Sequence, residues 1–309
     1  MRYIFFGNPE FASLNLKFLI ENNKIPIAVV TNPDKPMGRN RKLMPTPVKE
    51  VALEYNIPVI EVDKLKDNSL IEKLRSLEPD LFVVVAYRIL PSVLLDIPKN
   101  GAINLHASLL PDYKGAAPIQ YVLLNGEKET GVTTFFLTNK LDNGDIILQK
   151  RVEIKDFYNA GDLYNVLLKE GSQLLLDTLD LIERGNYPTR KQEDGNWHYA
   201  PKIQKKDMRI NWNETAERIR NKVRAFSPYP GAFCYFHDRI LKIFDCLVID
   251  DKTTGNPGEV LLADEKKGLY VQTGKGIISV LSLQLQGKKR LGWSEFLRGT
   301  KIQRSDFFS

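Results

Sequence analysis

The first half of the chain alternates short apolar runs with amphipathic segments of helical spacing. This alternation is typical of β-α units around a mainly parallel sheet. We predict strands over residues 3–6, 25–30, 59–62, 81–85 and 102–105, and helices over residues 10–21, 46–55 and 68–77. The first part of the chain is therefore expected to be of the α/β class, with a Rossmann-like sheet and helices on both faces.

Two further strands, over residues 132–137 and 146–152, precede a long helix over residues 159–184. The helix should end at residues 185–188, because Gly185 and Pro188 do not continue a helix comfortably. Residues 189–209 are polar, charged and aperiodic, which predicts a linker that carries Trp197 and Tyr199.

The last third of the chain has the pattern of a small β domain. After a short helix over residues 215–225, the pattern predicts strands over residues 232–236, 240–249, 258–262, 268–273 and 277–284, with a hairpin turn at residues 273–276. Short strands at this spacing favour a small OB-like β-barrel. We therefore divide the chain into a first domain (1–188), a linker (189–209) and a C-terminal domain (210–309).

Composition limits the class of the protein and the compartment in which we expect it. The chain has 309 residues, 43% of them apolar, which is enough for a sizeable core divided between two domains. No apolar stretch approaches the length of a membrane span, and the first residues do not resemble a signal peptide. Cys234 and Cys246 are the only cysteines and supply neither a zinc-ligand set nor a disulfide framework. We expect a cytoplasmic protein without a metal.

Charge is distributed unevenly along the chain. Residues 1–200 carry 24 Lys and Arg against 26 Asp and Glu, whereas residues 201–309 carry 20 against 12. A basic surplus confined to one module is expected of a surface that binds a polyanion. A solvated surface without a partner explains the charge equally well.

Two common nucleotide-binding motifs are missing from the sequence. The first predicted strand leads into residues 7–11, Gly-Asn-Pro-Glu-Phe, which lack the G-x-G-x-x-G turn of dinucleotide-binding domains. The chain also lacks a Walker-type phosphate loop. Nicotinamide, flavin and nucleoside triphosphate roles are thus disfavoured, and the sheet must serve another ligand.

Asn104 and His106 close the predicted strand 102–105, and the two-residue period of a strand places them on one face. They should emerge at the carboxyl end of the sheet, where open α/β sheets hold ligands. Alone, such a pair is compatible with a hydrogen-bonding pair at a strand end. The loop 107–120 that follows is rich in small residues and broken by Pro111, Gly115 and Pro118, which is typical of a pocket wall.

Asp142 lies in a second acidic segment, residues 141–145, between two predicted strands. Asn143 and Gly144 favour the positive backbone angles of a tight type I′ turn. The segment is open to two interpretations, a plain hairpin turn or a functional loop. Both can be true, because a tight turn can hold Asp142 rigidly.

These motifs together resemble the folate-dependent formyltransferase family. The resemblance is carried by Asn104-x-His106-x-Ser108-Leu-Leu-Pro111, Gly115-Ala-Ala-Pro118-Ile-Gln120, residues 129–133 and Asp142-x-Gly144-Asp145, and it runs nearly end to end along the chain. It implies that Asn104, His106 and Asp142 are the catalytic residues and that 10-formyltetrahydrofolate is the formyl donor. It also makes residues 1–188 a formyltransferase catalytic domain.

The reaction gives each of these residue types a reason. When a neutral amine adds to the formyl carbon, a tetrahedral intermediate with an oxyanion forms. Asn104 can donate a hydrogen bond to that oxygen, and His106 can assist it or pass a proton to the departing folate nitrogen. Asp142 would orient His106 and accept amine protons. No step needs a metal. His198 and His237 have no partners in sequence and are expected at the surface or in the linker.

The resemblance also assigns a folate site. It implies that the folate contacts Ser108, Leu109, Leu110 and Pro111, together with the loop formed by Ala86, Tyr87, Arg88, Ile89 and Leu90. Related members commonly have Ala-Tyr-Gly-x-Ile-Leu-Pro at that loop. This chain is one residue shorter there and lacks the glycine, so the wall of the pterin pocket should differ in shape.

The acceptor is indicated by two basic segments. Residues 33–49 contain five basic residues, one acid and four prolines, and resemble the insertion by which family members engage the acceptor stem of initiator methionyl-tRNA. The resemblance implies that the tRNA contacts Arg39, Arg41 and Lys42, and that Lys288, Lys289 and Arg290 of an OB-like tRNA-binding domain lie nearby. We expect formyl transfer to that tRNA by a monomer.

The sequence leaves three other interpretations of the function open. The nearest is an N-formyltransferase acting on a nucleotide-linked amino sugar, which would not need the basic 33–49 loop or the +8 charge of residues 201–309. A hydrolase of formyl-folate is a further alternative, disfavoured because such enzymes carry a regulatory domain first. A nucleic-acid-binding protein with an inactive transferase fold would not need Asn104, His106 and Asp142 together.

Overall fold

The computed structural model describes residues 1–37 and 42–309. The strands, in chain order, are β1 (Tyr3–Gly7), β2 (Ala28–Thr31), β3 (Lys35–Met37), β4 (Lys42–Met44), β5 (Val59–Glu61), β6 (Leu81–Val85), β7 (Ala102–His106), β8 (Lys114–Gly115), β9 (Glu129–Phe136), β10 (Ile146–Glu153), β11 (Tyr199–Ala200), β12 (Ala232–Phe236), β13 (Arg239–Asp250), β14 (Val260–Asp264), β15 (Gly268–Gln272), β16 (Ile277–Leu285) and β17 (Leu291–Gly292). The helices are α1 (Glu10–Glu21), α2 (Pro47–Glu54), α3 (Asn68–Ser76), α4 (Ser92–Leu95), α5 (Pro118–Leu124), α6 (Ala160–Glu183), α7 (Ala216–Ala225) and α8 (Trp293–Gly299), and Lys205–Met208 forms a 3-10 turn.

The chain forms two units. The first contains Met1–Gly115, Glu129–Glu153 and Asn165–Tyr199, and the second contains Ala116–Lys128, Ile154–Tyr164 and Ala200–Ser309. Neither unit is one continuous stretch of chain. No helix among residues 1–37 and 42–309 combines the length and apolarity needed to cross a bilayer.

The first unit is built on a sheet of seven strands in the order β10-β9-β7-β6-β1-β2-β5. The five strands from β7 to β5 in that order run parallel, whereas β9 and β10 are antiparallel to their neighbours. Every residue of β1 and β6 is buried, as expected for strands covered on both faces. The chain order reverses between β1 and β6, and open α/β sheets bind ligands at such a switch point.

Apolar strand residues pack against the helices on either face. On one face, Phe6 and Phe82 lie with ring centroids 4.8 Å apart and join Leu74 of α3 in one buried cluster. The helices have local caps: the Thr46 hydroxyl accepts a hydrogen bond from Lys49 N at 3.1 Å, and Asp67 Oδ1 accepts one from Ser69 N at 2.9 Å. These caps fix where α2 and α3 begin.

The second unit contains an antiparallel sheet in the order β12-β13-β16-β15-β14, with β17 paired to β16. Its inner face is a continuous apolar cluster that also includes Ile219 and Val223 of α7 and Phe296 of α8. Register shifts within β13 bend the long strand. The sheet is consistent with a small barrel, so the predicted fold class is confirmed: a mostly parallel α/β sheet followed by a small β domain.

Several predicted elements were wrong in detail. The strand predicted over residues 25–30 starts at Ala28, because Pro26 lacks a backbone donor for the ladder. The segment predicted as a loop over residues 33–49 contains a short hairpin, in which Lys35 pairs with Met44 and Pro36 with Leu43. Its prolines and charges hide the pairing from a pattern based on hydrophobicity.

Candidate active site

Asn104 and His106 lie at the carboxyl end of β7, beside β6. Asn104 pairs with Val84 of β6 and with Phe135 of β9, which sets its place in the sheet. His106 is buried, with 6% of its surface exposed, whereas Asn104 is half-buried. Within the described residues the Asn104 side-chain amide has no hydrogen-bond partner. It is therefore free to donate to a ligand.

Asp142 approaches His106 from the connection between β9 and β10. Its Oδ2 lies 4.0 Å from Nδ1 of His106, and the same oxygen accepts a hydrogen bond from the backbone N of Gly115 at 3.0 Å. The carboxylate is nearly enclosed, with 9% of the residue exposed. The structure thus brings two of the predicted catalytic residues together from distant parts of the chain.

The predicted type I′ turn at residues 143–144 was wrong. The positive backbone angle falls on Asp142 (φ 44°), and neither Asn143 nor Gly144 has one. Gly144 serves another purpose: a Cβ there would lie 1.6 Å from the carbonyl oxygen of Phe136. The connection spans nine residues between β9 and β10, so tight-turn geometry is not required. A close backbone approach, not a turn angle, excludes a side chain at residue 144.

The second ring nitrogen of His106 is fixed by a loop carbonyl. Its Nε2 lies 2.9 Å from the backbone oxygen of Tyr113. A carbonyl oxygen only accepts hydrogen bonds, so Nε2 carries the hydrogen and the lone pair of the neutral ring is on Nδ1. That lone pair faces the Asp142 carboxylate.

The loop 108–111 is held by hydrogen bonds within the protein. The Thr133 hydroxyl donates to Ser108 O at 2.7 Å and accepts from Leu110 N at 3.1 Å. Gln149 Nε2 donates to Leu110 O at 2.8 Å, and the Ser108 hydroxyl donates to Asp112 O at 2.6 Å. The side chains of Ser108 and Leu110 are buried. These two residues shape the loop rather than present side chains to solvent.

The loop 86–90 has a shape set by Arg88. The Arg88 guanidinium donates to Asp63 O at 2.6 Å, to Val62 O at 2.7 Å and to the Tyr87 hydroxyl at 2.9 Å. Ala86 has a positive φ of 47°, in the left-handed region of the backbone map. Arg88 therefore ties the shortened loop to the end of β5.

A cleft of about 430 Å³ opens beside this loop. Its lining combines the apolar side chains of Ile89 and Leu90 with polar residues, and Ile89 is 67% exposed. The complete lining is Leu65, Lys66, Ile89, Leu90, Pro91, Ser92 and Asn139. Apolar walls with a few polar groups are typical of a site for an organic ligand.

Lys114 is a buried cation beside the Asp142 segment. It is 8% exposed, and its Nζ lies 2.5 Å from Oδ1 of Asn143. Burial lowers the pKa of the Lys114 ammonium, while the carboxylates of Asp142 and Asp194 act in the opposite direction. Its hydrogen bond to Asn143 helps to hold the segment that carries Asp142.

The residues predicted to contact tRNA belong to two basic segments of the sequence. Arg39 and Arg41 lie outside the described residues, and Lys42 begins β4. Lys288, Lys289 and Arg290 are exposed after β16. The Arg290 guanidinium lies 4.5 Å from the centroid of the Phe244 ring, and its Nε donates to the Ser282 hydroxyl at 2.7 Å.

Sequence reasoning missed the residues that support the site. His198 is exposed within the predicted linker segment, as expected, and its Nδ1 lies 3.1 Å from Oδ1 of Asp112. Further supporting contacts to the candidate catalytic and folate segments come from Gln192, Tyr113 and Thr133. Each of these contacts uses a backbone group, and those of Gln192 and Thr133 also join residues far apart in sequence. A hydrophobic or motif pattern carries no signal for such contacts.

The fold and the site define a class of protein. A mostly parallel α/β sheet, with His106 and Asp142 close together at its carboxyl edge, is followed by a small β domain. The family model described as "Formyl transferase" matches residues 1–179, and "Formyl transferase, C-terminal domain" matches residues 202–301. The chain belongs to the formyl transferase family.

Similar proteins extend over the whole chain. A protein of Pelotomaculum thermopropionicum named methionyl-tRNA formyltransferase is 46% identical over 304 residues, covering 98% of this chain and 96% of its own length. One of the same name from Citrifermentans bemidjiense is 44% identical and covers 98% of this chain and 95% of its own length.

Solved structures share the fold. HypX from Aquifex aeolicus in complex with tetrahydrofolic acid superposes with a TM-score of 0.65 at 19% identity, over 100% of this chain and 50% of its own. An N-formyltransferase from Helicobacter canadensis, in complex with folinic acid and dTDP-3-aminofucose, gives a TM-score of 0.66 at 24% identity, over 91% of this chain and 99% of its own. At these identities the likeness concerns the fold alone.

Proposed function

We propose that this protein transfers the formyl group of 10-formyltetrahydrofolate to the amino group of initiator methionyl-tRNA, giving N-formylmethionyl-tRNA for translation initiation. The acceptor is supported by relatives of that name at 40–46% identity along essentially the whole chain. The chemistry is supported by one observation above all, the approach of His106 and Asp142 to 4.0 Å at the carboxyl end of β7. We further propose that it acts in the cytoplasm as a monomer.

In the proposed mechanism, the methionyl nitrogen adds to the formyl carbon and gives a tetrahedral intermediate. The free amide of Asn104 donates a hydrogen bond to the oxyanion, and His106, as the imidazolium, assists it. The bond between the carbon and the folate nitrogen then breaks, and His106 passes a proton to that nitrogen. The proton lost by the attacking amine goes to Asp142, directly or through water. No step calls for a metal.

We place the folate between the loops 86–90 and 108–111. The exposed Ile89 and the neighbouring cleft offer an apolar surface, and the hydrogen-bonded loop 108–111 offers a rigid wall. The residues proposed to contact folate are Ala86, Tyr87, Arg88, Ile89, Leu90, Ser108, Leu109, Leu110 and Pro111. Because Ser108 and Leu110 are buried, their contribution is to fix the backbone of the wall.

We propose that residues 1–188 carry the chemistry and that residues 210–309, joined by the linker 189–209, contact the tRNA. The basic groups assigned to the tRNA are Arg39, Arg41, Lys42, Lys288, Lys289 and Arg290. The last three form a continuous basic run that is exposed after β16. An exposed basic run neutralises phosphates and releases their counterions.

The test is a direct transfer assay. The protein is incubated with 10-formyltetrahydrofolate and either charged initiator tRNA or a nucleotide-linked amino sugar. We expect formylation of the tRNA alone. Formylation of the sugar alone would contradict the proposal and support the amino-sugar transferase.

His106→Ala tests the chemistry separately from binding. We expect loss of transfer by about 10²-fold or more, since a general acid contributes roughly 10²–10⁴-fold, with tRNA affinity within about 2-fold of the unsubstituted protein. His237→Ala is the matched control, because His237 is an exposed histidine of the second unit. Full activity of His106→Ala would remove His106 from the mechanism.

A further inference from the structure

Residues 190–198, which the sequence presents as part of a linker, lie against the candidate active site. Arg190 and Ile146 exchange two backbone hydrogen bonds, of 2.8 and 2.9 Å, so the segment pairs with the start of β10. The Arg190 guanidinium donates to Gln149 Oε1 at 2.6 Å. Gln149 in turn donates to Leu110 O in the folate loop. We call residues 190–198 the strap.

Gln192 joins the strap to residues 142–144, which we call the Asp142 turn. Its Nε2 donates to Asp142 O and to Gly144 O, each at 2.9 Å. The amide nitrogen, which is a donor, faces these two carbonyl oxygens, whereas the amide oxygen would be repelled by them. Gln192 Oε1 is buried and has no hydrogen-bond partner among the described residues. The side chain therefore acts through its two donors, which hold the turn on both sides of Asn143.

The far end of the strap holds the other side of His106. His198 N donates to Asp112 Oδ1 at 2.7 Å, and Tyr113 N donates to His198 O at 2.8 Å. The rings of Tyr113 and His198 stack at 5.1 Å with an angle of 15°. Tyr113 O is the acceptor that orients His106. One segment thus contacts both groups that determine the approach of His106 to Asp142.

We infer that the strap is a positioning element for the reaction, and that Gln192 is its principal positioning residue. Asp142 has a positive φ on a nine-residue connection, so its own chain does not fix it. Beside the contacts from Gly115 N and Lys114, the Gln192 amide adds a constraint on both flanking carbonyls from 50 residues away. This inference rests on the proposed function, because the geometry it maintains is that of formyl transfer. A displacement of a reacting group by about 1 Å costs on the order of 10²-fold in rate.

The experiment compares three variants of the full chain. Gln192→Leu removes both donors at similar volume, and Gln192→Lys returns a donor that can reach the two carbonyls. Gln173→Leu is the matched control, because Gln173 is exposed on α6 and its amide bonds only to Asp177 Oδ1 at 2.8 Å among the described residues. Steady-state formylation of methionyl-tRNA gives kcat and KM, and thermal unfolding gives Tm.

We expect Gln192→Leu to lower kcat by about 10- to 100-fold, with KM for both substrates changed by less than about 3-fold. Gln192→Lys should recover kcat to within about 5-fold, and Gln173→Leu should match the unsubstituted protein. An unchanged kcat in Gln192→Leu would overturn the inference. So would a loss that the lysine does not recover, since that indicates general damage to the fold.

Backbone hydrogen exchange separates this inference from the proposed function. Gln192→Leu should speed exchange over residues 142–145, while Gln173→Leu should leave it unchanged. If the unsubstituted protein does not formylate methionyl-tRNA, the proposed function fails whatever the strap does. If it does formylate the tRNA and both exchange and kcat of Gln192→Leu are unchanged, only the strap inference fails.

Discussion

Gly144→Ala should damage catalysis through the backbone, without altering any catalytic side chain. The added Cβ would lie 1.6 Å from Phe136 O, whereas real Cβ contacts essentially never fall below 3.0 Å. Phe136 cannot yield easily, because β9 is paired to β7 on one side and β10 on the other. The turn that carries Asp142 must therefore move by about 1.4 Å, a distance set by those two contact limits.

That movement has two measurable consequences. Overpacking a rigid site costs about 1–3 kcal/mol of unfolding free energy, so Tm should fall by several degrees. The shift exceeds the displacement of about 1 Å that costs on the order of 10²-fold in rate. It would also disturb the hydrogen bonds of Asp142 to Gly115 N and of Gln192 Nε2 to the turn. We therefore expect kcat/KM to fall by about 10²-fold.

The assay is formylation of charged initiator tRNA, measured beside thermal unfolding. Gly299→Ala is the matched control, because a Cβ there meets nothing within 4 Å and Gly299 has no positive φ. The control should keep kcat/KM within about 2-fold and Tm within about 1 °C, the range of an unremarkable surface substitution. If Gly144→Ala behaves like the control, then the turn either tolerates a side chain or does not position Asp142.

Two further predictions concern charge. Lys24 and the N-terminal ammonium hold the pKa of Glu183 down to about 2, so this pairing stabilises the fold above about pH 5 and is lost as pH falls through the lowered pKa. Glu183→Gln should therefore lose less unfolding free energy than the unsubstituted protein between about pH 5 and pH 2 in urea titrations; an equal loss would show that the pairing is not stabilising. Replacing Lys288 and Lys289 together with Ala should reduce the slope of log affinity for tRNA against log salt by about 1.5, because each neutralised phosphate contributes about 0.7–0.9. An unchanged slope would remove these lysines from the tRNA surface.

The fold was predictable where the chain carries a local signal. The buried strands β1 and β6 are continuous apolar runs, and the helices α1 and α6 have helical spacing over at least twelve residues. The hairpin of β3 and β4 was not predictable, because Lys35, Pro36 and Lys42 disfavour a strand by composition. Its pairing depends on the partner strand, which a local pattern does not contain.

The candidate site likewise contains some residues that the sequence predicts and others that it does not. Asn104 and His106 are two residues apart on one strand, so the period of the strand and the end of the sheet place them from sequence alone. Gln192 and His198 act over separations of 50 and 86 residues, through backbone oxygens in one case and an ordinary aspartate in the other. Backbone groups are the same at every position and leave no trace in residue type. The residues proposed to perform the chemistry are therefore predictable from the sequence, whereas those that hold them in place are identified only in the folded structure.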